Sequence, residues 1–148
     1  MLRFAIVISR FNEEYTSGLL RGAKSYLYEK GVQQSDSDIF EAPGAFEVPL
    51  IAKKLAKTDK YSGVICLGCV IKGETAHFEY ISQGATLGLM QGMLETEVPL
   101  SFGILTTYTD EQAAARSKDD AHNKGREAAA ACFETVKVLT QIQREANG

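Results

Sequence analysis

The chain has 148 residues, of which 45% are hydrophobic and 24% charged, and 16 Lys and Arg stand against 19 Asp and Glu for a net charge of −3. That length suits one domain with a substantial core, residues 1–148, and the acidic balance gives no support to a nucleic-acid role. No apolar run approaches the roughly 20 residues of a membrane span, no secretory leader precedes the first strand, and three cysteines, an odd number, argue against a disulfide framework and fit a cytoplasmic, reducing setting.

Phe4-Ala5-Ile6-Val7-Ile8 has the composition and length of a buried strand. It ends in the polar-aromatic turn Ser9-Arg10-Phe11-Asn12. Asn12 reads as the cap of a helix whose Glu13 and Glu14 suit its dipole and whose Tyr15, Leu19, Leu20, Ala23, Tyr26 and Leu27 recur at helical spacing. Gly31 stops that helix. A short strand is expected over Ser37–Glu41. The Pro43-Gly44 turn follows, then a helix from Pro49 to about Lys57 with Val48, Ile51, Ala52 and Leu55 inward.

Val64-Ile65-Cys66-Leu67 reads as a fully buried parallel strand. Beyond Gly68 the chain passes into a polar turn, Lys72-Gly73-Glu74-Thr75, and a helix begins near His77, with Thr75 as its expected cap. Phe78, Ile81, Ala85, Leu89 and Met93 form its apolar stripe. Gly84, Gly88 and Gly92 recur four apart, a row that lets another element pack closely, since each glycine costs up to about 1 kcal/mol of helix propensity. A fourth strand is expected over Val98–Leu105, with Pro99 at its start. A short helix follows from about Asp110 to Arg116, then a polar connection, then a last helix from about Gly125 to Arg144. The inner stripe of that helix is Ala129, Cys132, Phe133, Val136, Leu139 and Thr140, and Glu145 to Gly148 should fray. Four βα units plus one helix predict a parallel sheet with right-handed crossovers and helices on both faces.

Cys66 and Cys69 form a CxxC. A redox pair needs its first thiol at a helix N-terminus, whereas these residues end a strand, where positions three apart face opposite sides. A zinc ribbon needs a second pair, and Cys132 stands alone. The expectation is a structural role. Two histidines 45 residues apart argue against a metal site.

In open α/β sheets, ligands bind outside the carboxyl ends of the strands. Those ends carry Arg10, Phe11 and Asn12; Ala45, Phe46 and Glu47; the segment Cys69 to His77; and, after the fourth strand, Arg116 and Lys124. The helix start after Thr75 suits an anion, and His77 has an ordinary pKa near neutrality. Aromatics sandwich a flat ring, a carboxylate grips hydroxyls, and cations with helix N–H groups hold phosphate. The set suits a planar heterocycle with a polyol tail and a second, phosphate-bearing molecule. Each residue also has a bland reading: Phe11 and Phe46 as packing under loops, Glu47 as a first-turn carboxylate, His77 as a surface residue, Arg116, Lys124 and His122 as a solvated face. Convergence on one rim of the sheet is what favours chemistry.

Four segments carry a resemblance: Arg10-Phe11-Asn12; Pro43-Gly44-Ala45-Phe46-Glu47-Val48-Pro49; Gly68 through Tyr80; and Phe102-Gly103-Ile104-Leu105-Thr106 with Arg116 and Asn123-Lys124-Gly125. In this order, over nearly the whole chain, they resemble the lumazine synthase family. That resemblance implies a flavodoxin-like three-layer α/β/α sandwich on a four-stranded parallel sheet. It implies condensation of 5-amino-6-(D-ribitylamino)uracil with 3,4-dihydroxy-2-butanone 4-phosphate to 6,7-dimethyl-8-ribityllumazine, without a cofactor. It also implies that Phe11 stacks on the pyrimidine, that Ala45, Phe46 and Glu47 hold the ribityl chain, and that Cys69, Val70 and Ile71 offer backbone groups to the uracil. Glu74 and Thr75 match the phosphate turn and His77 the proton-transfer residue. Phe102, Arg116 and Lys124 match the contribution of an adjacent subunit, with Arg116 on the phosphate.

The family builds pentamers, and some members assemble twelve of these into a shell; riboflavin synthase is the implied pathway partner. Two departures stand out. The family's further strand ahead of Phe4 is not matched in full, and Asp120 stands where some members have lysine. A non-catalytic riboflavin- or lumazine-binding scaffold of the same family would lack His77 or Arg116, and both are present. A flavodoxin-like signalling module would need an acidic cluster where Ser9-Arg10-Phe11 stands.

Overall fold

The computed structural model describes all 148 residues, Met1–Gly148. Four strands alternate with helices: β1 (Phe4–Ser9), α1 (Glu13–Glu29), β2 (Ile39–Ala42), α2 (Val48–Ala56), β3 (Gly63–Ile71), α3 (His77–Thr96), β4 (Leu100–Thr107), α4 (Asp110–Arg116) and α5 (Lys124–Asn147). The strands form one parallel sheet in the order β2-β1-β3-β4. This is the expected flavodoxin-like α/β/α sandwich.

Strand alternation divides the interior in two. Phe4, Ile6 and Ile8 of β1 and Ile65, Leu67 and Cys69 of β3 join Leu19 and Leu27 of α1 and Cys132 and Phe133 of α5 in one core. Ala5, Val7, Val64, Cys66 and Val70 face the other way, against Val48 and Ala52 of α2 and Ala85 and Leu89 of α3. Cys66 and Cys69 therefore lie in different cores. Burial pushes the Cys66 thiol well above its ordinary value and raises those of Cys69 and Cys132 to about 12. All three thiols are free and buried. At neutral pH they are protonated, so the CxxC has no thiolate for redox work.

Helix ends follow local chemistry. Gly31 has φ 75, and the Val32 N–H donates to the Leu27 carbonyl while the Gly31 N–H donates to that of Tyr28, the Schellman pattern that only a left-handed residue closes. The Thr109 hydroxyl accepts from the Gln112 N–H at the start of α4. Asn123 is fully buried. Its side-chain oxygen accepts from Arg126 N–H and its amide donates to the carbonyls of Gly18 and Lys118, tying the start of α5 to α1.

At the opposite end of the sheet from the β-strand carboxyl termini, Asp38, only 4% exposed, accepts 2.8 Å hydrogen bonds from Arg3 and from the Tyr61 hydroxyl. The Arg3 hydrogen bond is the main cause that holds its carboxyl below the usual range, and Tyr61 adds to it.

Several boundaries differ from the sequence reading. A 3₁₀ turn, Asp36–Asp38, occupies the start of the expected second strand, because the Ser35 hydroxyl accepts the Ser37 N–H and turns the chain. β3 runs on through Gly68 to Ile71, since β4 stays in register with it as far as Thr107. β4 itself starts after Pro99. α5 continues to Asn147 instead of fraying at Glu145, and its Leu139 and Thr140 are exposed, because the helix outruns the sheet beyond Val136. No helix is long and apolar enough to cross a membrane.

Candidate active site

The chain leaves β1 towards α1 on one face and leaves β3 towards α3 on the other. β1 and β3 are neighbours, so the switch point where doubly wound sheets bind ligands falls between their carboxyl ends. Phe11 stands in the turn after β1, 71% exposed. Cys69, Val70 and Ile71 are the last three residues of β3, which carries on past the Val64–Leu67 run read from the sequence. A rim built from strand backbone is stiffer than one built from a loop.

Ala45, Phe46 and Glu47 form a single 3₁₀ turn between β2 and α2. Ala45 is buried, while Phe46 and Glu47 are exposed. The glycine row of α3 explains how this segment is held. A Cβ on Gly84 would stand 2.8 Å from the Phe46 ring, and one on Gly88 would stand 2.9 Å from Pro49. The expected close approach is thus that of the turn and helix carrying the ribityl candidates.

Glu74 and Thr75 lie exposed in the turn before α3, and His77 is its first residue, also exposed. Thr75 is not the N-cap. Ala76 holds that position, and the Thr75 hydroxyl accepts from the His77 N–H at 3.3 Å, one residue out of phase with a cap. Lys72, the cation of this turn, is already engaged. It donates to Glu79 at 2.9 Å and lies 5.9 Å from the ring centres of both Phe78 and Tyr108. The Lys72–Glu79 hydrogen bond raises the lysine pKa and lowers that of the carboxyl.

Phe102, Arg116 and Lys124 come together elsewhere. They line one cleft of about 410 Å³ beside β4, the edge strand, with Thr106, Glu127 and Ala131. Phe11, Phe46 and His77 do not line it. Arg116 donates to the Gln112 carbonyl and Lys124 pairs with Glu127 at 3.1 Å. The sequence-predicted residues therefore form two groups in one chain. Asp120 points into its own connection, accepting from the His122 N–H at 2.8 Å.

Three residues that carry this geometry had no such role in the sequence reading. Asn12 occupies the N-cap position of α1 but does not cap it. Its backbone is left-handed (φ 62) and its side-chain amide donates to the Cys69 carbonyl at 2.8 Å. Tyr15 donates to Asp110 at 2.8 Å, which raises its pKa to about 12 and ties α1 to α4. Asn123 fixes the helix start that bears Lys124. Of the three, only Asn123, an Asn just ahead of a helical run, makes the capping bond that its place in the sequence signals.

The rim is that of a small-molecule site in a doubly wound α/β protein. A family model described as 6,7-dimethyl-8-ribityllumazine synthase matches residues 1–140. A protein of Caulobacter vibrioides named 6,7-dimethyl-8-ribityllumazine synthase 1 is 63% identical over 144 residues, covering 97% of this chain and 94% of its own. Proteins of Nitratidesulfovibrio vulgaris and Salinibacter ruber named 6,7-dimethyl-8-ribityllumazine synthase are 51% and 48% identical, each over 95% of this chain and 90% of their own. The chain belongs to the 6,7-dimethyl-8-ribityllumazine synthase family, and so to the transferases of riboflavin biosynthesis.

Proposed function

We propose that the chain condenses 5-amino-6-(D-ribitylamino)uracil with 3,4-dihydroxy-2-butanone 4-phosphate, at a site shared between neighbouring subunits of one domain each. The observation that carries the reading is the family match over residues 1–140, on a chain whose neighbouring strands β1 and β3 lead at their carboxyl ends into Phe11 and into the Glu74–His77 turn.

In this reading Phe11 stacks on the pyrimidine, Ala45, Phe46 and Glu47 hold the ribityl chain, and the Cys69–Ile71 backbone meets the uracil edge. The Glu74–Thr75 turn and the start of α3 receive the phosphate. The uracil 5-amine attacks the ketone, and loss of one water gives an imine. Removal of a proton next to the imine expels phosphate, and attack of the ribitylamino nitrogen on the resulting carbonyl, with loss of a second water, closes the ring. His77, beside the phosphate turn, moves protons in these steps. Most of the acceleration comes from holding two substrates in register, since the rim carries little acid–base machinery.

The cleft of Phe102, Arg116 and Lys124 is the half supplied to the next subunit, with Arg116 on the phosphate. α3 supports an oligomer: Tyr80, Leu87, Met90 and Leu94 are exposed, 51% to 71%, on a helix that leaves them no partner in its own chain. The building block is a pentamer, and light scattering separates it from a shell of twelve. The product passes to riboflavin synthase.

The test mixes purified protein with both substrates and follows lumazine absorbance together with phosphate release. Absence of both signals with either enantiomer of the butanone phosphate would sink the reading.

A further inference from the structure

The register of β1 with β3 ends at Ile8 opposite Leu67, whereas that of β3 with β4 continues to Ile71. β3 therefore projects beyond β1 with one side uncovered. The N–H groups of Val64 and Lys72 donate to the carbonyls of Pro99 and Thr107, so even-numbered residues of β3 address β4. By alternation, Cys69 and Ile71 turn their N–H and C=O groups to the uncovered side. The Cys69 carbonyl is met there by the Asn12 amide, across 57 residues of chain. Asn12 replaces the next strand residue that β1 does not supply, and its left-handed backbone swings the chain into α1. An N-cap position that gives up its cap for a long-range bond is placed for that bond.

We infer that Asn12 is a positioning residue for the uracil-bearing substrate: it fixes the projecting edge of β3, so that the Ile71 backbone meets the ring in one register beneath Phe11. This rests on the substrate assignment proposed above. The two contributions of Asn12 separate cleanly. Glycine retains the left-handed backbone and loses the donor. Aspartate keeps the shape, and its carboxylate cannot donate to a carbonyl.

The experiment measures the affinity of Asn12→Gly and Asn12→Asp for ribitylaminouracil by calorimetric titration, together with kcat and both KM values. We expect binding and KM for ribitylaminouracil to weaken about tenfold in Asn12→Gly, the scale of one lost hydrogen bond, and more in Asn12→Asp. KM for the butanone phosphate and kcat at saturation stay within about twofold. Unchanged uracil affinity, an equal rise in both KM values, or a fall in kcat alone would overturn the inference. So would loss of folding in both variants, which would assign Asn12 to the scaffold. If wild-type protein binds ribitylaminouracil but makes no lumazine, the proposed reaction falls while the titration still judges Asn12.

Discussion

Gly84 and Phe46 are fitted to each other: the helix leaves no room for a β-carbon where the ring lies, 2.8 Å from its would-be position. Gly84→Ala gains up to about 1 kcal/mol of helix propensity but displaces the ring, which can move because Phe46 is 58% exposed. The melting temperature should hold while KM for ribitylaminouracil rises roughly fivefold, about 1 kcal/mol of lost contact. Gly88→Ala meets the rigid Pro49 ring instead and should destabilise by about 1–3 kcal/mol. Thermal melts beside steady-state kinetics separate the two.

His77→Ala should lower kcat by about a hundredfold, the low end of general acid–base assistance, and still form product because proximity carries the rest. Single-turnover rates at saturating substrates read this directly. Undiminished turnover removes His77 from the proton path.

Arg116→Gln should raise KM for the butanone phosphate about 10- to 100-fold and leave that for ribitylaminouracil near its starting value, because the proposed charge-assisted phosphate contact would be lost. Neither Arg116→Gln nor His77→Ala chains should be fully active alone. Refolded together in equal amounts, they should regain about a quarter of the intact sites if His77 and Arg116 of one site come from different chains. No recovery on mixing would place both groups in one chain's own site.

Asp38 gives a pH test remote from the chemistry. Its folded pKa is depressed, so it contributes stability above the unfolded value of about 3.9, and that contribution fades as pH falls through the folded value. Asp38→Asn should lower the melting temperature by about 3–6 °C at pH 7, with the gap from wild type narrowing towards pH 3. Activity at 25 °C should be unchanged, since Arg3, Asp38 and Tyr61 lie at the other end of the sheet.

The three buried thiols should resist a charged disulfide reagent in the native protein and react in full in denaturant. Time-resolved thiol titration measures this. Fast labelling of one thiol in the folded protein would contradict the protonated CxxC.

Much of the fold was legible because its strands are short apolar runs: Phe4–Ile8 is buried throughout and alternates between two cores. Where the reading missed, a partner distant in sequence decided. Gly68 looked like a strand end, but pairing with Ile104 carries β3 onward. Leu139 kept the helical period, yet a 24-residue helix, about 36 Å long, exceeds the length of its sheet. In the site, the Phe11, Ala45–Glu47 and Cys69–His77 positions were readable because topology places strand ends on one rim. Asn12 was placed on the same rim, but its bond was not readable, because Asn before a helix signals a cap and nothing local indicates a bond to Cys69. Nor could periodicity show that Phe102, Arg116 and Lys124 share a cleft.

β4 has a further consequence. It is the outermost strand on its side, eight residues long, and no strand pairs beyond it. A row of backbone donors and acceptors next to Phe102 is a template for adding another chain. In the proposed oligomer, a subunit released by dilution would carry this adhesive margin into solution, so dissociation and aggregation should be linked. Conditions that loosen the assembly should then produce precipitate before unfolded monomer, and shelf life should improve with protein concentration up to full assembly.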